Sequence, residues 1–162
     1  ALGTKYSETM EIKFIDEQNN NMPFYMGCYG IGVSRVLGII YENNTIKEND
    51  KVIGFSIPVS VTPYYLYIIS NENKKNIAKD MYEKFQLENV EVIIDDVKGS
   101  IGEKIRNAKI LGIPYIAIFG NNTESDSVEI EKTIDGKKKV MKIDAAINIF
   151  KNMSNSKRDI DL

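Results

Sequence analysis

The stretch YMGCYGIGVSR, from Tyr25 to Arg35, crowds three glycines ahead of a single arginine. Glycines such as Gly27, Gly30 and Gly32 let a backbone approach a ligand closely. An arginine can pair two phosphate oxygens or lie flat on an aromatic base, so the combination is compatible with nucleotide binding. The order G-x-x-G-x-G matches neither the dinucleotide pattern nor a P-loop. The residues alone therefore favour a plainer interpretation, a strand whose glycines let a helix pack closely.

Positive charge is concentrated in a second stretch, which holds Lys98, Lys104, Arg106 and Lys109 against one acid, Glu103. Such a local excess attracts the phosphate backbone of a nucleic acid without reading a base. The alternative is an ordinary solvated helix face.

Composition excludes several kinds of chemistry. The chain has no histidine, which rules out a histidine general base and imidazole zinc sites, and we predict no metal site. With 21 basic and 23 acidic side chains the net charge is −2, which does not indicate a globally basic DNA-binding protein. The apolar runs are too short to cross a bilayer, so no membrane association is predicted.

The elements around the glycine stretch are predicted from periodicity. Alternation of Met10, Ile12 and Phe14 predicts a strand, the polar run DEQNNNMP a turn, and FYMGCY a second strand of an antiparallel hairpin. A helix follows, because apolar residues recur at helical spacing: Val33, Val36, Leu37, Ile40 and Tyr41. The run ENNTIKEND is interpreted as a linker.

The basic stretch belongs to a segment with its own alternation of strands and helices, over residues 56–153. Ser100 and Glu103 are spaced as a capping box, and Gly112 can end the same helix. The tract GKKKVMK is interpreted as a charged hairpin turn at Asp135 and Gly136 rather than an RNA contact. The order predicts an α/β fold, a five-stranded mixed sheet covered by helices. The residues from 154 to 162 are predicted to fray.

The segments LGTKYSETM and MGCYGIGVSR resemble the closing part of the catalytic domain of bacterial-type prolyl-tRNA synthetases, which are class II aminoacyl-tRNA synthetases. GIGVSR resembles class II motif 3, and PYYLYIIS, VEVIIDD and LGIPYIAIFG resemble strands of the anticodon-binding domain. The resemblance implies a C-terminal piece of the catalytic domain over 1–45, a linker over 46–55, an anticodon-binding domain over 56–153 and a polar tail over 154–162. That domain type has a five-stranded mixed sheet with three helices.

Site roles are carried over from the resemblance. It implies that Arg35 is the catalytic arginine that contacts ATP, and that Gly30 and Gly32 form the floor beneath the nucleotide. Gly27 and Cys28 would lie beside the proline pocket, although Cys28 could equally be a small buried apolar residue.

The resemblance also places the basic stretch, with Lys98, Lys104, Arg106 and Lys109, on the surface that meets the tRNA anticodon. Members of the family usually carry an arginine where this chain has Val97. That departure favours attraction of the phosphate backbone over base reading.

The implied activity is ATP-dependent attachment of proline to its tRNA through prolyl-adenylate, with Mg²⁺, in a cytoplasmic homodimer or an organellar copy. The other two class II motifs are absent from these 162 residues. We therefore predict a fragment that is inactive alone and binds neither cofactor tightly. The alternative is a free-standing, non-catalytic module that binds tRNA or another protein.

Overall fold

The computed structural model describes residues 1–121 and 123–160, and the chain divides after Val36 into two compact units. The first unit begins with a short helix, α1 (Lys5–Thr9), followed by two strands, β1 (Lys13–Ile15) and β2 (Asn21–Pro23). The strands pair in antiparallel register, so the predicted hairpin is confirmed.

The boundaries of that hairpin differ from the prediction. The start of the predicted first strand is helical, because the buried Ser7 hydroxyl donates a hydrogen bond to the Phe24 carbonyl at 2.6 Å. The predicted second strand, FYMGCY, is wrong, since β2 precedes it. Only Met26 forms a bridge there, with Gly3. No other described strand lies alongside these residues to hold them extended.

The helix predicted after Gly32 forms as α2 (Val33–Asn43). It is followed by an antiparallel hairpin of β3 (Thr45–Glu48) and β4 (Lys51–Phe55). The linker predicted over 46–55 is therefore wrong as a description of local structure. Asn49 and Asp50 both adopt left-handed backbone angles, with φ of 49° and 62°, which suits a two-residue hairpin loop.

The second unit contains the predicted mixed sheet, and the fold class is confirmed. Its strands are β5 (Leu66–Ser70), β6 (Val92–Ile94), β7 (Tyr115–Phe119), β8 (Ser127–Lys132) and β9 (Lys138–Lys142). Its helices are α3 (Lys75–Leu87), α4 (Ile101–Leu111) and α5 (Ile143–Ser156). The strand order is β6-β5-β7-β8-β9, with β5 parallel to both neighbours and the last pairings antiparallel.

Alternate residues of the central strands serve two separate cores. Leu66 and Ile68 of β5 pack with buried side chains of α3 and α5, such as Phe85 and Phe150, on one face of the sheet. On the other face Ile69 packs with residues that include Ala108 of α4. The face of the sheet opposite to α3 and α5 thus holds α4.

The hairpin of β3 and β4 packs closely against α4. A Cβ atom added at Gly54 would lie 2.6 Å from the Cβ of Lys109 and 2.7 Å from its carbonyl oxygen. At the end of α4, Gly112 has a φ of +77°, and its carbonyl accepts a hydrogen bond from the Ile57 amide at 2.8 Å. Glycine is therefore required at both places, for close approach and for the left-handed cap.

The residues after α5 do not fray as predicted. Ile160 packs against the larger core, and the Asp159 carboxylate accepts hydrogen bonds from the Tyr115 hydroxyl and, at 2.6 Å, from the Lys132 ammonium. The predicted polar tail over 154–162 is thus an anchored segment as far as residue 160, and residues 161–162 lie outside the described part. Among the described residues no helix is long and apolar enough to span a membrane.

Candidate functional site

The loop between β6 and α4, residues 96–100, is held at its second end by the first turn of α4. The Ser100 hydroxyl accepts a hydrogen bond from the Glu103 amide at 3.2 Å, and the Ser100 amide donates to the Glu103 carboxylate at 2.8 Å. The predicted capping box is confirmed. The hydrogen bond from the Ser100 amide lowers the pKa of Glu103, because it stabilises the ionised carboxylate.

The first end of the loop is held by the Asp95 carboxylate, which accepts two hydrogen bonds and forms one ion pair. One oxygen accepts from the Val97 amide at 2.9 Å and lies 3.3 Å from the Lys104 ammonium, and the other accepts from the Tyr67 hydroxyl at 3.0 Å. The three side chains at the centre are buried, with Lys104 only 3% exposed. Two effects raise the pKa of Tyr67: the larger is burial of its hydroxyl, and the next is the hydrogen bond to Asp95.

This arrangement changes the predicted tRNA-binding set. The prediction is wrong for Lys104 as an exposed charge: its ammonium is buried against Asp95, and both side chains form part of the wall of the hollow described below. Lys109 is also mostly buried and ion-paired: its side chain is 19% exposed, and its ammonium lies 3.4 Å from the Glu131 carboxylate. The spacing of charges along α4 gave no sign of either partner, because Asp95 follows β6 and Glu131 lies on β8.

Lys98 and Arg106 are the members of the predicted set that remain exposed. They line a hollow of about 320 Å³ between the loop and α4, together with the exposed Asn107. The neighbouring acids Asp96 and Glu103 are exposed as well. The surface therefore presents balanced charge instead of the positive excess that the sequence predicts, which disfavours binding through phosphate attraction alone.

Arg35 lies in the first turn of α2 and is exposed. A Cβ atom at Gly32 would lie 3.5 Å from the Arg35 Cδ, so the arginine stem folds back beside that glycine. Gly30 has open space around it. The guanidinium and an uncovered glycine backbone thus occupy neighbouring positions, as a nucleotide contact requires.

Cys28 is an exposed free cysteine, so its interpretation as a small buried residue is wrong within the described residues. Beside it, Gly27 contacts the ring of Tyr29, with 3.2 Å between an added Cβ and the nearest ring carbon. In the described part of the chain no group of three potential acidic, cysteine or histidine ligands could hold a metal ion. The described residues thus offer an arginine and open glycine backbone, which are compatible with a nucleotide contact, and no cluster of three protein ligands for Mg²⁺.

Sequence reasoning missed Tyr67 and Asp95 as members of the site. Asp95 directly follows a buried strand, and Tyr67 lies in the middle of another. A carboxylate at the end of a buried strand was the available signal, because such a group requires a partner.

The comparisons with known proteins cover nearly the whole chain. It is 36% identical over 160 residues to proline–tRNA ligase of Thermoanaerobacter sp. (strain X514), which is 96% of this chain and 27% of that protein. It is 39% identical over 151 residues to proline–tRNA ligase of Staphylococcus saprophyticus, which is 91% of this chain and 26% of that protein. The chain thus spans about a quarter of the length of these curated relatives.

The fold also matches a solved structure. Prolyl-tRNA synthetase from Cryptosporidium parvum, complexed with L-proline and AMP, superimposes with a TM-score of 0.63 at 20% identity, over 96% of this chain and 34% of that one. The family model described as an anticodon-binding domain matches residues 57–153, which is more than half of the chain. The chain therefore belongs to the anticodon-binding domain family.

Proposed function

We propose that this chain is the C-terminal part of a proline–tRNA ligase, in which it binds the tRNA and supplies one contact to ATP. The observation that carries the proposal is the extent of the similarity to proline–tRNA ligases, which covers 96% of the chain, beyond the family match over 57–153. The similarity therefore includes the glycine stretch as well as the anticodon-binding domain. A module for binding RNA alone has no use for an ATP-binding arginine.

The tRNA contact in this proposal is the hollow between the loop and α4. Arg106 offers a planar donor that can pair with a base edge or stack on a base, and Lys98 offers a point charge for a phosphate. Asn107 adds a side-chain amide that can both donate and accept. Because the local charge is balanced, we expect base contacts to contribute more than phosphate attraction does.

In the nucleotide contact, the Arg35 guanidinium lies against the adenine face or the terminal phosphate, and the open backbone around Gly30 and Gly32 lies beneath it. Mg²⁺, when it accompanies ATP, neutralises phosphate charge, and no described residue of this chain is assigned to hold it. One arginine can neutralise phosphate charge, but it cannot by itself align the two substrates, ATP and proline. We therefore expect the isolated chain to show no proline-dependent exchange of pyrophosphate into ATP, whereas measurable turnover would contradict the proposal.

The binding test compares a proline tRNA with a version whose anticodon is changed, using the whole chain at several salt concentrations. We expect a preference for the native anticodon. Substituting both Lys98 and Arg106 with alanine should remove that preference, because Arg106 contacts a base, and should make the salt slope of log K shallower by about 0.7, the value for the one phosphate contact of Lys98 to a single strand. Lys79→Ala on α3 is the matched control, since Lys79 is an exposed lysine distant in sequence from the hollow.

Two further parts of the proposal concern the whole ligase. It acts as a homodimer in the cytoplasm, where aminoacylated tRNA is used, and L-proline is its amino-acid substrate. Sedimentation of the full-length ligase tests the dimer. In that protein Arg35→Ala should lower pyrophosphate exchange by roughly 100-fold, the usual effect of losing one charge-stabilising group.

A further inference from the structure

The buried ion pair between Asp95 and Lys104 is not explained by stability alone. A buried pair can often be replaced by apolar residues of similar volume without loss of stability, because desolvation offsets the attraction. Here both side chains are almost inaccessible, at 1% and 4% exposure, and the ammonium also lies 3.3 Å from the Asp95 backbone carbonyl. The ammonium of Lys104 therefore holds both the side chain and the backbone of Asp95, the residue that follows β6.

The same carboxylate controls the start of the loop. The oxygen of Asp95 that faces Lys104 also accepts the Val97 amide hydrogen bond, so the direction of the chain after β6 depends on where that oxygen lies. The Asp95 amide donates to the Ile68 carbonyl at 2.9 Å, which ties this point to the central strand. The capping box at Ser100 holds the other end.

Between these two anchors the loop presents Lys98, and the next turn of α4 presents Arg106, on either side of the hollow. Lys104 and Arg106 lie two residues apart on the helix, so one faces the core while the other faces solvent. The pair thus connects the sheet to the exposed groups that contact RNA in the proposed function.

We infer that Asp95 and Lys104 are positioning residues for RNA recognition: the carboxylate holds the Val97 amide, and the ammonium neutralises and orients that carboxylate. The inference rests on the proposed tRNA contact. The pair lies in the wall of the hollow but is almost inaccessible, so it acts through the placement of Lys98 and Arg106.

The test uses two double variants of the whole chain that both remove the buried charges, so neither leaves one of them unpaired. D95N/K104M keeps a side-chain oxygen for the Val97 amide, whereas D95A/K104M lacks it. We expect amide exchange of Val97 to be about tenfold faster in D95A/K104M and within roughly threefold of the unsubstituted chain in D95N/K104M, because only one variant loses the acceptor. Exchange of β5 amides should be unchanged in both.

Binding to proline tRNA should follow the same order, with about a tenfold loss in D95A/K104M. In a chain that already carries K98A and R106A, D95A/K104M should cause no further loss of tRNA affinity, because the side chains that the pair positions are already absent. Equal behaviour of the two double variants in exchange, or losses that simply add to those of K98A and R106A, would overturn the inference. A chain that binds no tRNA at all would instead refute the proposed function, while the exchange comparison would still decide the role of the pair.

The control is K109M, which removes the other ion-paired lysine of α4. Its partner Glu131 is on β8, away from the loop. A loss of RNA affinity in K109M as large as that in D95A/K104M would mean that any disturbance of α4 has the same effect, and the inference would fail.

Discussion

The substitution Gly54→Ala tests how the β3–β4 hairpin is held against α4 within the second unit. The added methyl group would lie 2.6 Å from the Lys109 Cβ, 2.7 Å from its carbonyl oxygen and 2.8 Å from its carbonyl carbon. Two of these atoms belong to the backbone of a helix that is packed on the sheet, so they cannot move aside as the end of a side chain could. The hairpin must therefore shift away from α4.

The loss in free energy of unfolding caused by Gly54→Ala can be estimated. Contacts must lengthen by roughly 1 Å to reach ordinary carbon–carbon separation, and overpacking of this kind costs about 1–3 kcal/mol. For a protein of this size, each kcal/mol lowers the melting temperature by about 2–4 °C. We expect Gly54→Ala to lower it by roughly 2–12 °C, measured by circular dichroism at 222 nm or by tyrosine fluorescence, since the chain has no tryptophan.

Gly102→Ala is the matched control. Gly102 lies in α4 itself, and the nearest atom to an added Cβ is the Ser100 hydroxyl oxygen at 4.0 Å. Because alanine is the better helix former, this variant should be more stable by about 0.5–1 kcal/mol. An unchanged or raised melting temperature in Gly54→Ala would refute the reasoning, because it would show that the hairpin does not press on α4.

Further predictions concern the ends of α4 and the last described residues. Gly112→Ala should destabilise the second unit by about 1–3 kcal/mol in urea, since the residue is left-handed and its Cβ would lie 2.9 Å from the Ile57 side chain. Ser100→Ala removes an N-cap and should cost about 1 kcal/mol, with Ser100→Asp as the variant expected to restore it. Burial alone raises the pKa of Asp159, but hydrogen bonds from Lys132 and the Tyr115 hydroxyl outweigh it and hold the pKa below 3.8. The stabilisation by this carboxylate is thus present above its unfolded pKa and is lost as the pH falls through the lower folded pKa. We expect the amides of the last described residues to exchange faster in acid, after correction for the intrinsic rate. Corrected exchange rates that do not change with pH would contradict this prediction.

Periodicity predicted the second unit well because its signals are local. The capping box at Ser100 and the glycine at 112 act within one or two turns of helix, and the alternating faces of the central strands follow from burial. The hairpin at 45–55 was misread as a linker, although Asn49 and Asp50 lie between two short runs with strand-forming residues. Its strands are exposed for much of their length, so the apolar alternation that marks a strand is weak there.

The candidate site was predicted less well, because burial of a charged residue depends on partners far along the chain. Lys104 looks like its neighbour Arg106 in the sequence, and only the folded structure places Asp95 beside it. Likewise Glu131 becomes a partner of Lys109 only when β8 is added to the sheet. The interpretation of the glycine stretch as an ATP contact rests on its resemblance to motif 3, whereas its spacing alone favours the plainer interpretation.

The lysine tract lies on β9, the outermost strand of the sheet. One edge of β9 pairs with β8, and within the described chain no strand pairs with its other edge, which could otherwise template a strand from a second molecule. Lys138, Lys139 and Lys142 place charged side chains along this five-residue strand, and acids on neighbouring segments pair with Lys138 and Lys142. Charged side chains on an edge strand disfavour pairing with a second copy. The opposite edge, β6, is only three residues long. We therefore expect the lysine tract, interpreted above as a hairpin turn, to disfavour edge-to-edge association between copies of this chain.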